Sequence, residues 1–194
     1  MNGTNKKQAR SQRTYQLALE SAAVEFARYG FADASLLRMA DRMNLTKGAL
    51  YGHFRSKEEI ASSLVALLDG VLEKLAARSA PAGGVRELRL LSGSVADAIE
   101  SDVRISAALR LAFDGAQRSE DTPEFLTSLR RHALELLTAS EEPDERTRVL
   151  ADLLIVVLVG AYYTAPAPER AGMSARVQDM WDLLVPAPQL PVDG

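Results

Sequence analysis

The sequence predicts an all-α protein: a three-helix head carrying a helix-turn-helix, followed by a larger helical body. Apolar residues recur at i, i+3, i+4 and i+7 in segment after segment, and no stretch alternates with a period of two. The breaks between these segments fall on Gly, Pro, Asn and Ser. A length of 194 residues suffices for a small head and one medium body with a substantial core.

Residues 1–13 carry Lys6, Lys7, Arg10 and Arg13 without apolar period, which reads as a flexible basic arm. From Thr14 the pattern is helical, through Tyr15, Leu19, Ala22, Ala23 and Phe26, until Gly30 stops it. Leu36, Met39, Ala40 and Met43 make one stripe of a second helix, and Leu50 and Phe54 one face of a third. Between them Asn44 suits a left-handed turn, and Thr46 suits the cap of the helix that follows. Ser56 followed by Glu59 is a capping box, opening a long helix that runs as one rod from Lys57 to about Arg78, with Gly70 as its weak point. The stretch 79–84, rich in Ala, Pro and Gly, ends it.

Amphipathic segments follow over 85–100 and 102–115. Thr122-Pro123-Glu124 starts a helix to about Ser140, with Thr122 as cap and Pro123 in its first turn. The segment after Pro143 becomes apolar nearly all round from Val149 to Tyr163 and must be buried on every side. A last helix, 174–185, places Val177, Met180, Trp181 and Leu184 on one face.

Two short helices joined by a tight turn, the second presenting a polar outer face, form a helix-turn-helix whose second helix enters the major groove of DNA. Lys47, Gly48 and Tyr51 lie away from Leu50 and Phe54. Lys47 offers a charge to phosphates, Gly48 permits close approach, and Tyr51 reaches a phosphate or a thymine methyl. His53 and Lys57 are placed to reach the flanking backbone. The charge distribution agrees. Net charge is −3, yet residues 1–57 hold ten Lys/Arg against four Asp/Glu, a balance of +6, leaving −9 for the remainder.

The run Gly30-Phe31, Ser35, Ala40 and then Leu45-Thr46-Lys47-Gly48-Ala49-Leu50-Tyr51-Gly52-His53-Phe54-Arg55-Ser56-Lys57-Glu58 resembles the N-terminal signature of the TetR family of transcriptional regulators, without a gap from about Thr14 to Ile60. Ala34 and Asn44 depart from the Thr and Gly usual in that family. The resemblance implies a DNA-binding domain over 1–57, with Ser35, Thr46, Lys47, Gly48, Tyr51, His53 and Lys57 at the DNA, and a ligand-binding and dimerisation body over 58–194. It also implies a homodimeric repressor, released from double-stranded operator DNA by a small-molecule effector. Its dimer interface would lie on the last two long helices, at Leu154, Leu158, Tyr162, Val177, Trp181 and Leu184. Its pocket would be lined by Leu111, Phe113, Phe125, Leu129, His132, Leu136, Tyr162 and Tyr163. The stretches 103–115 and 176–181 are similar to the γ-butyrolactone receptor branch, which suggests a γ-butyrolactone-like signal or an antibiotic as effector. Trp181, the single tryptophan, lies near the end of the chain and not in the middle helices, where those receptors carry theirs.

The other classes are less favoured. With no cysteine there is neither a disulfide nor a thiolate metal site. His53 and His132 have no ligand partner at helical spacing, carboxylates form no inward pair, and no Gly-rich phosphate loop follows a strand. The expectation is therefore no enzyme, no metal and no cofactor. The longest apolar run, Leu153 to Val159, is too short for a membrane span, and no secretory signal opens the chain, which points to the cytoplasm. The alternative reading is a helical scaffolding or partner-binding protein that retains a DNA-binding head, or a regulator without a small-molecule ligand.

Overall fold

A computed structural model describes residues 2–44, 47–78, 83–119, 121–139, 142–167 and 170–185. Among them are ten helices and no strand. The head comprises α1 (Asn2–Asp33), α2 (Leu36–Arg42) and α3 (Lys47–Tyr51). The body comprises α4 (Lys57–Val65), α5 (Leu67–Ala76), α6 (Gly84–Ser101), α7 (Val103–Ser119), α8 (Glu124–Leu137), α9 (Glu145–Thr164) and α10 (Met173–Leu184). One connected core runs from Ala18 and Phe26 in the head to Val177 and Trp181 at the end of the body.

The basic N-terminal stretch is helical, not a flexible arm: α1 starts at Asn2, and residues 6–13 are exposed helix. Lys, Gln, Ala and Arg are good helix formers, and extending a helix already nucleated around Tyr15–Phe26 costs little. The missing apolar period marks a helix with no packing partner. Gly30 ends the regular part of α1 at φ 73°, in the left-handed region that favours glycine.

In the head Met39, Ala40, Leu50 and Phe54 are buried as the stripes require, and Tyr15 stacks on Phe54 at 4.8 Å. The Ser21 hydroxyl donates to the Met39 carbonyl at 2.8 Å, tying α1 to α2. Asn44 has φ 52°, the left-handed conformation its residue type allows. The expected cap at Thr46 lies outside the described residues, as does Leu45 before it.

The expected rod from Lys57 to Arg78 is interrupted at Ala66, between α4 and α5, and not at Gly70. Ala66 keeps right-handed dihedrals (φ −59°, ψ −16°), so the helix is interrupted there without unwinding. The two halves serve different surfaces: α4 packs on α1 and α7, whereas α5 packs on α6, α7 and α8. Pro123, and not Thr122, occupies the cap position of α8, so this helix starts one residue later than expected. Asp144 caps α9 by accepting from the Thr147 N–H at 2.8 Å. Glu100 reaches from α6 to accept from the N–H groups of Gly172 and Ser174 at 2.7 and 3.0 Å, capping α10.

The expected dimer residues are corrected by burial. Leu154, Leu158, Tyr162, Val177 and Trp181 are all buried in the chain's own core, and Leu184 alone of the six is exposed. Helix α9 is long and apolar enough to cross a bilayer by composition, yet α6, α8 and α10 cover its inner face. Val149, Val156 and Tyr163 on its other side are exposed, as are Leu183 and Leu184 on α10. Apolar count alone did not distinguish the two faces.

Two buried polar links lock this core. The Trp181 indole N–H donates to the Ser92 hydroxyl, and the Tyr162 hydroxyl donates to the Ser106 carbonyl, both at 2.8 Å. Ser92→Ala leaves the indole N–H buried without its partner, and should cost about 1–3 kcal/mol in urea denaturation while keeping the fold.

Candidate nucleic-acid interface

Helix α3 is only five residues long and is held by its apolar face. Leu50 and Phe54 are sunk in the core, which turns Gly48, Tyr51 and Gly52 outward. Tyr51 is 45% exposed and His53 is half-buried beside it. Lys47 begins α3, though its side chain lies outside the described residues, as does Thr46 altogether. The structure thus brings Gly48, Tyr51 and His53 to one surface.

Ser35 and Lys57 are placed differently. The Ser35 hydroxyl accepts from the Arg38 N–H at 3.5 Å and caps α2. Lys57 turns inward, which corrects its expected place at the DNA backbone. Its Nζ donates to the carbonyls of Phe31, Ala32 and Ala34 at 2.7, 3.2 and 3.1 Å, and it lies 4.7 Å from the centre of the Phe31 ring. An ammonium has three protons, and three carbonyls receive them.

A buried carboxylate missed by sequence reasoning organises the start of α2. Glu25, on α1, accepts from the Ser35 N–H at 3.0 Å and from Arg38 Nε at 2.5 Å, and pairs with Arg42 at 3.5 Å. Arg38 also donates to the Asp33 carbonyl at 2.8 Å and stacks on Tyr29 at 4.6 Å. The available signal was position: Glu25 follows Ala18 and Ala22 on the apolar stripe, where a charge survives only if paired.

Helix α7 holds the head to the body. Arg110 donates to the carbonyls of Ala27 and Arg28 at 3.1 and 3.3 Å, satisfying the last turn of α1 before Gly30. Asp114, one turn on, accepts from the Phe31 N–H at 2.7 Å. Arg118, a further turn on, lies 4.7 Å from the centre of the Phe31 ring. A side chain at Gly30 would place its Cβ 2.9 Å from Asp114 Oδ2 and 3.1 Å from the Arg110 guanidinium.

The residues expected to line a pocket are distributed between core and surface. Leu111, Phe125, Leu129, Leu136 and Tyr162 are buried core, Phe113 and His132 are half-buried, and Tyr163 is 55% exposed. Of these only Leu111 borders a cavity of about 860 Å³, a groove between α4 and α7 beneath Phe31. A second cavity of about 900 Å³ lies between α6 and α10, beside Arg89 and Trp181. Phe125, Leu129, Ala133 and Leu136 form the inward stripe of α8, and that stripe is core.

Comparison with known proteins bears on both parts of the chain. Residues 18–64 match the family model for bacterial regulatory proteins of the tetR family. The A-factor receptor protein of Streptomyces griseus is 29% identical over 188 residues, which is 93% of this chain; the chain spans 66% of that relative's length. A structure of CprB, a TetR family protein of Streptomyces coelicolor in complex with its biological operator sequence, matches with a TM-score of 0.74 at 26% identity. That match covers 94% of this chain and 91% of CprB. A γ-butyrolactone receptor (ArpA-like protein) shares the fold with a TM-score of 0.63 at 21% identity, covering 88% of this chain and 99% of that one.

Two glycine substitutions should separate strain from propensity. Gly30→Ala forces a side chain into left-handed backbone against Asp114, and should lower the stability of the protein by about 1–3 kcal/mol. Gly70→Ala, with nothing within 4 Å of the new methyl, should raise it by about 0.5–1 kcal/mol. Thermal or urea denaturation of the two proteins measures both.

Proposed function

We propose that this chain, which belongs to the tetR family of bacterial regulatory proteins, is a DNA-binding transcriptional regulator that acts as a homodimeric repressor and leaves its operator when a small molecule binds. The observation that carries this is the outward face of α3. It is presented by a left-handed turn at Asn44 and a buried Leu50–Phe54 face, inside the segment that matches the family model. The similarity to CprB, solved with its operator, and to the A-factor receptor supports the same reading.

In this reading residues 1–57 form the DNA-binding head and 58–194 the sensing and dimerising body, and the protein works in the cytoplasm. Helix α3 enters the major groove, with Lys47, Gly48 and Tyr51 at the DNA and Thr46 and His53 at its flanks. Ser35 contributes by capping α2. Lys57 is assigned to the fold and not to the DNA. The exposed helix over residues 6–13 carries Lys6, Lys7, Arg10 and Arg13 as a rigid basic extension toward the phosphates. Two heads are needed for two half-sites about 34–36 Å apart. The surface that pairs them is the exposed side of α9 and α10, with Val149, Val156, Tyr163 and Leu183. The relatives' names make a γ-butyrolactone one candidate effector.

Tyr51→Ala and Lys47→Ala should each weaken operator binding without changing the helical content. Lys47→Ala should also reduce the salt slope by about one phosphate's worth. Gel-shift titrations at several salt concentrations test this, and unchanged affinity in both proteins overturns the assignment of the face. Val156→Glu should give a folded monomer by sedimentation, since Val156 is 66% exposed in the single chain and a charge there harms only a paired surface.

A further inference from the structure

A groove of about 500 Å³ runs along the head between α1 and the end of α2. Its α1 wall is Thr14, Leu17, Ser21 and Val24, and its α2 wall is Arg42 and Met43. Arg10 continues the α1 wall upstream, since Arg10, Thr14, Leu17, Ser21 and Val24 fall at i, i+4, i+7, i+11 and i+14 of one helix. The Thr14 hydroxyl donates to the Arg10 carbonyl at 3.0 Å. Glu20, the acid of the lining, is exposed and within electrostatic reach of Arg104 at the start of α7.

Two arginines one turn apart on α2 share the buried Glu25, and they share it unequally. Arg38 is taken up by the fold. Its Nε meets Glu25 Oε1 at 2.5 Å, its Nη2 meets the Asp33 carbonyl at 2.8 Å, and its guanidinium covers the Tyr29 ring at 4.6 Å. Arg42 reaches Glu25 Oε2 through Nη2 at 3.5 Å, its only hydrogen bond or ion pair among the described residues. A guanidinium has five N–H donors, so most of those of Arg42 stay open, on a side chain that is 34% exposed. Position in the chain then decides what they face. Arg42 is the last residue of α2, two before the left-handed turn at Asn44 and five before Lys47, which opens α3. In a helix-turn-helix the first helix crosses the DNA backbone and the N-terminus of the second enters the major groove. The corner between them therefore stands at the groove edge, where the phosphates are.

We propose that Arg42 is a phosphate-binding residue of the first helix: Glu25 holds one side of its guanidinium, and the open side takes a backbone phosphate of the operator. The planar fork suits this, because it can meet a carboxylate on one edge and a phosphate on another. DNA then completes a set of partners that the free protein leaves half-filled. The contact rests on the DNA-binding reading and adds to it a site outside α3 and outside the basic N-terminal extension. It fixes register and carries no sequence information.

The test uses the full chain and a duplex that the unaltered protein selects from a random-sequence library, titrated by fluorescence anisotropy at several salt concentrations. Arg42→Ala should bind about 10-fold more weakly in low salt. Its salt slope should fall by one phosphate per head, ~0.9 each. Arg42→Lys should keep the slope and recover part of the affinity. Arg131→Ala, which removes the same charge from the exposed side of α8, should leave the slope unchanged. Ethylation of one phosphate per half-site should block the unaltered protein and make no difference to Arg42→Ala. Glu25 retains Arg38 and the Ser35 N–H, so helical content should persist by circular dichroism. Arg42→Met, which keeps the aliphatic stem, reads the same slope should the alanine protein not fold. An unchanged slope, an unchanged ethylation pattern, or an equal fall in Arg131→Ala overturns the proposal. Failure to select any duplex overturns the DNA-binding reading and the contact with it, whereas a selected duplex with an unchanged slope refutes Arg42 alone.

Discussion

At Gly30 the backbone turns left-handed, and side chains from the body meet six backbone polar groups within four residues of it. Arg110 takes the carbonyls before it, Asp114 the N–H after it, and Lys57 three carbonyls beyond. A helix end buried against another element needs such partners, because water cannot supply them. The orientation of the head follows from this. Moving α7 or the start of α4 relative to α1 would strand several of these groups at once, so the joint resists small shifts and yields, if at all, as a unit. Glycine is required twice over, for its φ of 73° and for the 2.9 Å left to a Cβ.

The head was legible because its signals are local. A left-handed Asn44, a Ser56–Glu59 box and stripes ending in Leu50 and Phe54 each depend on residues a few places apart, and spacing records them. The Glu59 carboxylate does reach back, although to the Arg55 N–H, one residue ahead of the cap. What spacing does not record is a partner far along the chain. Lys57 at the mouth of a helix looks like a solvent-facing cation until the carbonyls of Phe31, Ala32 and Ala34 are placed around it. Arg110 and Asp114 look like the polar side of an amphipathic helix until Gly30 comes to rest on them. The basic stretch before Thr14 failed for a different reason: absence of apolar period says only that nothing covers a segment, and an uncovered segment of helix formers is still a helix when it grows from an anchored one.

The body was legible as helices and illegible as surfaces. Periodicity identified α8 and α9 but gave no means of deciding which apolar residues face the chain's own core. Helix α9 carries two apolar stripes. The one through Leu154, Val157, Leu158 and Ala161 is covered by α6, α8 and α10, whereas the one through Val149, Val156 and Tyr163 is left open. The expected dimer residues Leu154 and Leu158 fall on the covered stripe, which spacing alone could not tell from the open one. The same ambiguity produced a pocket from Phe125, Leu129 and Leu136, whose regular spacing is that of a packed helix face. Two cavities of about 860 and 900 Å³ lie elsewhere, at the α4–α7 and α6–α10 junctions.

The position of the break between α4 and α5 bears on how body and head are joined. An unbroken rod from Lys57 to Arg78 would link the deep body to the head along one axis. With the break at Ala66, the half that touches the head is nine residues long and is itself packed on α7. Helix α7 then meets the head twice, once through α4 and once directly at the Gly30–Phe31 corner. Both contacts end within residues 27–34, and Ser35 follows as the cap of α2, its N–H held by Glu25, which also holds Arg38 and Arg42. From α7 to the first turn of the helix-turn-helix there is therefore a short series of hydrogen bonds, through the half-buried Asp114 and Lys57 to the buried Glu25. Charge-assisted bonds of this kind are costly to leave unmade, so the seats of α7 and of α4 against the corner that leads into α2 are set together and not independently.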